Sequence, residues 1–299
     1  MKVDFLTVVY GIDLELLKLQ ARSIARFVDP ELINQIVVVI KDNTLGFADH
    51  VCSIRPLYGV FADRVLFLDY TDVVNKTDLE FNNEYYNIRD WISSQVARLL
   101  ASRIIKSDWY INLDCKNIFI GPINETTFFY NNRAKEIGLA IDKDTLSYSW
   151  WPASCEYFKF DGSLITPQQC YSPFIFVTQE VRNLINYSNN TPLAYSLMDS
   201  YCSLKDMQLA DIFLYCAWLH YQDRYSMYYC DSPIWRGSIL NYHPTIAIYD
   251  IHRVRDLPTI LQNPEKQAFV ADFLVNQTGL LTNSEWTEFI LHYGSTIKN

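Results

Sequence analysis

Apolar residues fall into short continuous runs that alternate with segments of helical spacing. Runs of consecutive apolar positions occupy most of four segments in the first half of the chain, at 3–10, 35–42, 64–70 and 109–115. Such runs are typical of strands that are buried on both faces. Apolar residues at helical spacing lie between them, at 13–28 and 90–105. This rhythm predicts an α/β fold with right-handed crossovers and a largely parallel central sheet flanked by helices.

The second half of the chain follows a less regular pattern. Apolar patterns predict three more strands, at 136–142, 171–178 and 244–250. Helical patterns are predicted at 204–221, roughly 264–275 and 284–297. The stretch 147–162 is aromatic and is predicted to be irregular. Because neither a repeat nor a linker composition interrupts residues 1–299, the sequence predicts a single domain.

Charge and composition narrow the classes of function. The formal net charge is −9, and the longest basic cluster is the short segment 252–255. This argues against a nucleic-acid partner, which usually meets a basic face. No apolar run approaches the roughly 18 residues of a membrane span, and the first residues, 1–11, read as a strand rather than a signal peptide. The seven cysteines include no C-x-x-C pair and are predicted to be reduced thiols rather than a disulfide framework or zinc site.

Polar residues at the predicted strand ends are the first candidates for chemistry. Ligands of open parallel sheets bind outside the carboxyl ends of the strands. That rule selects Thr7, Tyr10, Asp42 and Asp114. A single polar residue at such an end is most often an ordinary loop residue, but four together favour a binding edge. Asp114 is the most specific of them, because a short carboxylate at a strand end can hold a divalent cation that bridges two phosphates.

The surroundings of Asp114 resemble the Asp-x-Asp signature of GT-A-fold glycosyltransferases. More narrowly, they are similar to a bacterial polysaccharide-biosynthesis group in which Gln95 would be the preceding helix glutamine and Pro122 the following proline. The resemblance implies that Gln95 belongs to the donor-binding residues. The segments 172–185 and 210–219 resemble later parts of the same group. The resemblance covers roughly residues 3–220.

The resemblance implies a fold and a function. It implies a GT-A-like domain with a nucleotide-binding half, 1–125, and an acceptor-binding half with the C-terminal helices, 126–299. It further implies transfer of a sugar from a nucleotide-sugar donor to a glycan or lipid-linked acceptor. The expected location is cytoplasmic, and peripheral contact with the inner face of the cell membrane stays open.

The motif departs from the family pattern at its second acidic position. Lys116 stands where the family has an aspartate, in the order Asp114-Cys115-Lys116. A charged lysine cannot ligate a cation, whereas its ammonium can neutralise phosphates directly. We therefore predict donor binding that is metal-independent or only weakly stimulated by metal, with no metal ligands and no cofactor. Two alternatives remain: Mn²⁺ or Mg²⁺ binds if Asp114 still holds a metal, or Lys116 points to solvent and the motif has lost its role.

Asp211 is the candidate catalytic base. It lies on the otherwise strongly apolar helix predicted at 204–221, where burial should raise its pKa unless it is paired. The resemblance aligns it with a glutamate of the related group. The alternative is a structural carboxylate satisfied by hydrogen bonds in the core.

Two further sets of residues complete the candidates. His252 follows the late strand and is expected near the donor diphosphate, with a solvated basic turn as the alternative reading. Trp150 and Trp151 are expected to stack on the acceptor sugar, because indole faces suit the apolar faces of sugars, although either ring could instead belong to the core.

Competing functions remain open at this point. The first is the transferase, and the second is a non-catalytic carbohydrate- or nucleotide-binding relative of the same fold. The third, another nucleotide enzyme on a doubly wound sheet, is disfavoured because the glycine-rich phosphate motifs are absent and the chain has only nine glycines.

Overall fold

The computed structural model describes most of the chain in eleven stretches. These are 1–41, 46–74, 90–119, 121–135, 150–163, 165, 172–187, 210–230, 245–247, 271–277 and 279–296. The strands, in chain order, are β1 (Val3–Tyr10), β2 (Ile33–Lys41), β3 (Val65–Asp69), β4 (Trp109–Asp114), β5 (Asn117–Phe119), β6 (Phe129–Tyr130), β7 (Arg133–Lys135), β8 (Phe174–Val177), β9 (Tyr229–Cys230) and β10 (Thr245–Ala247). The helices are α1 (Leu14–Phe27), α2 (Phe47–Ile54), α3 (Tyr70–Val73), α4 (Asp90–Leu100), α5 (Glu125–Phe128), α6 (Trp150–Tyr157), α7 (Thr178–Tyr187), α8 (Asp211–Tyr221), α9 (Tyr225–Tyr228) and α10 (Asn283–Thr296).

Five strands form the central sheet in the spatial order β3-β2-β1-β4-β8. The β1–β2, β2–β3 and β1–β4 pairs are parallel, and β8 runs antiparallel to β4. Helices flank this sheet, so the predicted α/β fold with a mostly parallel sheet is confirmed. The four strand predictions in the first half agree with the observed bounds to within two residues.

Both faces of the sheet are buried, which explains the continuous apolar runs. On the α1 face, Phe5 stacks on Phe119 with ring centroids 5.8 Å apart. On the α4 face, Tyr110 stacks on Phe176 at 4.9 Å, and its hydroxyl donates to the carbonyl of Arg98 at 3.3 Å. Each such buried ring contributes about 1.5–3 kcal/mol from burial alone. The sheet therefore offers a ligand only its edges.

The remaining strands form two small sheets. One has the order β6-β7-β9, and in the other β10 pairs antiparallel with β5. The late strand predicted at 244–250 is thus seen at Thr245–Ala247, next to the segment that follows Asp114. The α10 helix is joined to α1 by Arg22, whose hydrogen bond to Glu285 lowers the pKa of that carboxyl to about 2.

Some expectations for the second half are corrected. The stretch predicted as irregular contains α6, whose Pro152 is tolerated because the first backbone N–H groups of a helix have no intrahelical partner. The apolar helix is seen from Asp211 onward, while 201–209 and the strand predicted at 136–142 lie outside the described residues. Within the described stretches, none of the helices has the length and apolar content needed to cross a bilayer.

Glu180 ties the helices of the second half together. Its buried carboxylate accepts hydrogen bonds from Arg224 at 2.7 Å, Tyr228 at 3.0 Å, the Trp218 indole at 3.2 Å and Asn183 at 3.4 Å. Burial alone would raise the pKa of Glu180, but these hydrogen bonds outweigh it and the pKa is lowered. Such a satisfied buried carboxylate stabilises the packing of α7 against α8 and α9.

We predict that Glu180→Ala lowers the free energy of unfolding by about 2–4 kcal/mol, because the buried Trp218 indole N–H loses its acceptor. Urea unfolding at pH 7 measures this, with Gln179→Ala, at the exposed neighbouring position, as the control expected to change stability by less than about 0.5 kcal/mol. Since the folded-state pKa of Glu180 is lowered, its contribution is present at neutral pH and is lost as the pH falls through that pKa. Equal stability of the two variants at pH 7 would contradict the role given to Glu180.

Candidate functional site

The carboxyl ends of three neighbouring parallel strands meet at one edge of the sheet. Tyr10, the last residue of β1, lies opposite Lys41, the last residue of β2. Val8 of β1 lies opposite Asp114, the last residue of β4. The structure therefore brings Tyr10 and Asp114 to the same edge, as the strand-end rule predicts.

Asp114 and Lys116 form an ion pair at this edge. The Lys116 Nζ lies 3.0 Å from Asp114 Oδ2, and the two side chains are 22% and 15% exposed, respectively for the aspartate and the lysine. The ammonium therefore lies beside the carboxylate, whereas the alternative interpretation requires the Lys116 side chain to point to solvent. Cys115 between them is buried, and burial, followed by the nearby Asp114 carboxylate, raises the pKa of its thiol well above the usual value.

Hydrogen bonds from α1 fix the turn that carries this ion pair. The side-chain amide nitrogen of Gln20 donates to the carbonyl of Asp114 at 2.6 Å and to the carbonyl of Asn117 at 3.2 Å. Thr7 is buried on β1, and its hydroxyl donates to the amide oxygen of Gln20 at 2.8 Å. Thr7, predicted to bind the donor, is thus placed in a layer beneath the turn, where it contacts Gln20.

Lys41 is a residue of this edge that sequence reasoning missed. It is 9% exposed, and its Nζ lies 5.6 Å from the ring centroid of Tyr10 and 5.1 Å from that of Tyr70. Aromatic faces at these distances attract an ammonium and fix its position. The apolar run of β2 ends in this lysine, so the sequence does contain a signal for it. The predicted strand ends one residue later, however, and so selects Asp42.

Asp211 lies in a buried ion pair on the α4 side of the sheet. Arg98 donates to both of its carboxylate oxygens, at 2.7 and 3.2 Å, and the Asp211 side chain is 2% exposed. The Gln95 side-chain oxygen accepts the Asp211 backbone N–H at 2.8 Å, so Gln95 caps the start of α8. Burial raises the pKa of Asp211 above its usual value, and the Arg98 guanidinium opposes this shift.

These contacts affect the roles predicted for Gln95 and Asp211. Gln95 contacts the first residue of α8, which makes it a structural neighbour of Asp211. A substrate hydroxyl can reach the Asp211 carboxylate only if the packing that leaves this side chain 2% exposed opens. Its role as a base stays a prediction.

The two tryptophans of the predicted acceptor side differ in exposure. Trp151 is 3% exposed, its indole N–H donates to the Gly162 carbonyl at 3.0 Å, and its ring contacts His220. Trp150 is half-buried and contacts the ring of Phe213 at 5.7 Å. Trp150 therefore retains surface for a ligand, whereas Trp151 is packed on nearly every side.

Two predicted residues lie outside the described residues, namely Asp42 and His252. Among the residues that are described, no group of three or more His, Cys, Asp or Glu side chains is arranged to hold a metal ion. The Asp114 carboxylate is one conceivable ligand, but an ammonium 3.0 Å away would repel a divalent cation there. The described residues at this edge therefore do not fit an Mn²⁺ or Mg²⁺ site.

The chain belongs to the family of unknown function DUF6492, which it matches over residues 7–298. No curated protein matches the chain.

Several solved glycosyltransferases of the GT-A class are similar in structure. The apo structure of the bifunctional glycosyltransferase WbbM is 13% identical with a TM-score of 0.45, over 78% of this chain and 39% of that one. Mouse xyloside xylosyltransferase 1 in its apo form is 10% identical with a TM-score of 0.38, over 78% of this chain and 85% of that one. Apo GlyE from Streptococcus pneumoniae TIGR4 is 10% identical with a TM-score of 0.39, over 100% of this chain and 62% of that one. At these identities and scores the likeness assigns no activity to this chain, which spans well under half the length of WbbM.

We predict that Arg98→Met lowers the free energy of unfolding by about 3–5 kcal/mol, because it leaves the buried Asp211 carboxylate without its counter-ion. The double variant Arg98→Met/Asp211→Leu should regain most of that loss, since it removes both charges from the core. Urea unfolding measures both, and Arg103→Met, at an exposed position just beyond α4, serves as the control. A double variant no more stable than Arg98→Met would contradict the assignment of a buried pair.

Proposed function

We propose that this chain is a glycosyltransferase that binds the diphosphate of a nucleotide-sugar donor at the Asp114–Lys116 edge without a metal ion. The observation that carries the proposal is the ion pair itself, with Lys116 Nζ 3.0 Å from Asp114 Oδ2 at the carboxyl end of β4. A partly exposed ammonium at a strand end supplies the positive charge that a diphosphate requires.

The ion pair restricts the position of the Lys116 ammonium before an anion binds. A lysine side chain is flexible, and binding normally requires it to lose that freedom. Here Asp114 already holds Lys116, and its ammonium has three donors, so an incoming phosphate can share it with the carboxylate. Lys41 supplies a second ammonium at the same edge, on a buried side chain that lies over the rings of Tyr10 and Tyr70.

The reaction at this edge would be a displacement at the anomeric carbon. An acceptor hydroxyl oxygen bonds to that carbon while the bond to the donor phosphate breaks, and the leaving nucleoside diphosphate takes the electron pair. Lys116 stabilises the charge that develops on the diphosphate. The hydroxyl proton passes to a base, for which Asp211 is our candidate, and Trp150 would support the acceptor sugar. The acceptor would be a glycan or a lipid-linked sugar.

A second function, a non-catalytic nucleotide- or carbohydrate-binding protein, is favoured by one specific observation. Both carboxylate oxygens of Asp211 are engaged by Arg98, and the pair is buried. If that pair stays buried, the chain binds the donor without a base at Asp211. Donor turnover distinguishes the two functions.

We predict that Lys116→Met weakens binding of a nucleoside diphosphate by about 10–100-fold, because a charge-assisted hydrogen bond contributes about 1.5–3 kcal/mol. Calorimetric titration with UDP, GDP, CDP and ADP first identifies the preferred nucleobase. The nucleoside diphosphate that binds most tightly is then titrated into each variant. Lys106→Met, which removes an exposed lysine before the start of β4, is the matched control and should bind as the wild type does. Excess chelator should leave the wild-type affinity unchanged, and abolition of binding by chelator would refute metal independence.

We predict that Asp211→Asn keeps donor binding and lowers the turnover of the nucleotide sugar by about 100-fold or more, if Asp211 acts as the base. Release of the nucleoside diphosphate from the cognate sugar nucleotide measures this, with binding measured on the same preparation. The introduced amide would still offer its oxygen to Arg98 as a neutral acceptor, so the variant is expected to fold. Undiminished turnover would exclude Asp211 as the base, and no turnover by the wild type would favour the binding function.

A further inference from the structure

Gln20 occupies an unusual position for a polar residue. It lies in the middle of α1, fully buried, on a helix whose other buried positions are mostly apolar. A glutamine amide has two N–H donors and one carbonyl acceptor. Here the amide nitrogen is directed at the carbonyls of Asp114 and Asn117, and the amide oxygen receives the Thr7 hydroxyl.

These contacts restrict the backbone of the turn that carries Lys116. A buried carbonyl without a donor costs about 1–3 kcal/mol, so a turn that directs two carbonyls into the core needs a paired donor there. Gln20 supplies that donor from one side chain. Because backbone carbonyls only accept hydrogen bonds, the amide nitrogen of Gln20 must face the turn, and its amide oxygen then accepts from the Thr7 hydroxyl on the other side.

Further hydrogen bonds fix the turn on both sides of Lys116. The backbone N–H of Asp114 donates to Asn117 Oδ1 at 2.7 Å. The backbone N–H of Phe119 donates to the hydroxyl of Ser23 at 3.1 Å, and that hydroxyl donates in turn to the Gln20 carbonyl at 2.7 Å. The backbone that carries Lys116 is therefore fixed to α1 before and after it.

We propose that Gln20 is the positioning residue of the Asp114–Lys116 site, one that acts on the bound diphosphate only through those two side chains. The inference rests on the proposed function. Lysine carries its charge at the end of a flexible stem, so the place and direction of its backbone decide which volume the ammonium can reach. Gln20 sets both, and a substitution that frees the turn should weaken binding although Gln20 itself touches no ligand.

A coupling measurement tests this. Gln20→Met, which is close in volume but has no donor, should weaken the affinity for the tightest-binding nucleoside diphosphate of the panel by about tenfold, equivalent to about 1.4 kcal/mol. Combined with Lys116→Met, it should add less than about twofold to the loss caused by Lys116→Met alone, because the two residues then act as one unit. Losses that multiply in the double variant would overturn the proposal.

A remote variant controls for general destabilisation. Tyr215 accepts the buried backbone N–H of Val177 at 3.0 Å, and Val177 pairs with the first residue of β4, Trp109. Tyr215→Phe therefore removes a buried hydrogen bond about 17 Å along the strand from Asp114. It should lower the melting temperature and leave the affinity for the diphosphate unchanged. If it weakens binding as much as Gln20→Met, loss of stability explains both results and the proposal fails.

Amide hydrogen exchange separates this proposal from the proposed function. If the wild type binds none of UDP, GDP, CDP and ADP, the proposed function fails, and exchange in the absence of ligand decides on Gln20. In Gln20→Met the amides of Asp114 and Phe119 should exchange at least about tenfold faster, while that of Val38 in the neighbouring strand β2 keeps its rate. Unchanged protection at Asp114 and Phe119 would refute the positioning role.

Discussion

The ion pair between Asp114 and Lys116 is the interaction on which the proposed site depends. It places a counter-ion for phosphate within the chain itself, two residues from the carboxylate that holds it. A divalent metal offers more charge and several coordination positions, but it must be taken from solution and can be removed. A lysine offers one charge and three donors that are always present. The site therefore needs an accurately placed backbone, because the lysine cannot adjust its geometry as a coordination sphere can.

That accuracy comes from the core. The turn after β4 is held by a buried glutamine, a buried threonine and a buried serine, so the same packing that stabilises α1 against the sheet also fixes the candidate site. Buried polar networks of this kind are stabilising only when every member is satisfied. The consequence is that the stability of α1 and the geometry of the ligand edge are coupled, which a site built on an exposed loop would avoid.

The parts of the fold that could be predicted from the sequence are those set by local pattern. Continuous apolar runs mark strands that are covered on both faces, and the bounds of the four strands predicted in the first half lie within two residues of the observed ones. The α6 helix was missed because its aromatic composition hides the helical period. Lys41 was missed because the predicted strand ends one residue too late, at Asp42. The Arg98–Asp211 and Gln20–Asp114 contacts join residues 113 and 94 positions apart. Such pairings depend on topology, which no local pattern encodes.

The environment of Asp211 shows why a buried carboxylate alone does not identify a base. Burial raises its pKa, which suits proton transfer, but the Arg98 guanidinium opposes that shift and donates a hydrogen bond to each oxygen. A base needs a free lone pair within hydrogen-bonding distance of the acceptor hydroxyl. At 2% exposure no acceptor hydroxyl reaches the Asp211 carboxylate, so the catalytic reading requires that ligand binding open this packing, whereas the structural reading requires nothing further. Since α8 begins at Asp211 and Gln95 caps it there, any such movement would also loosen the start of that helix.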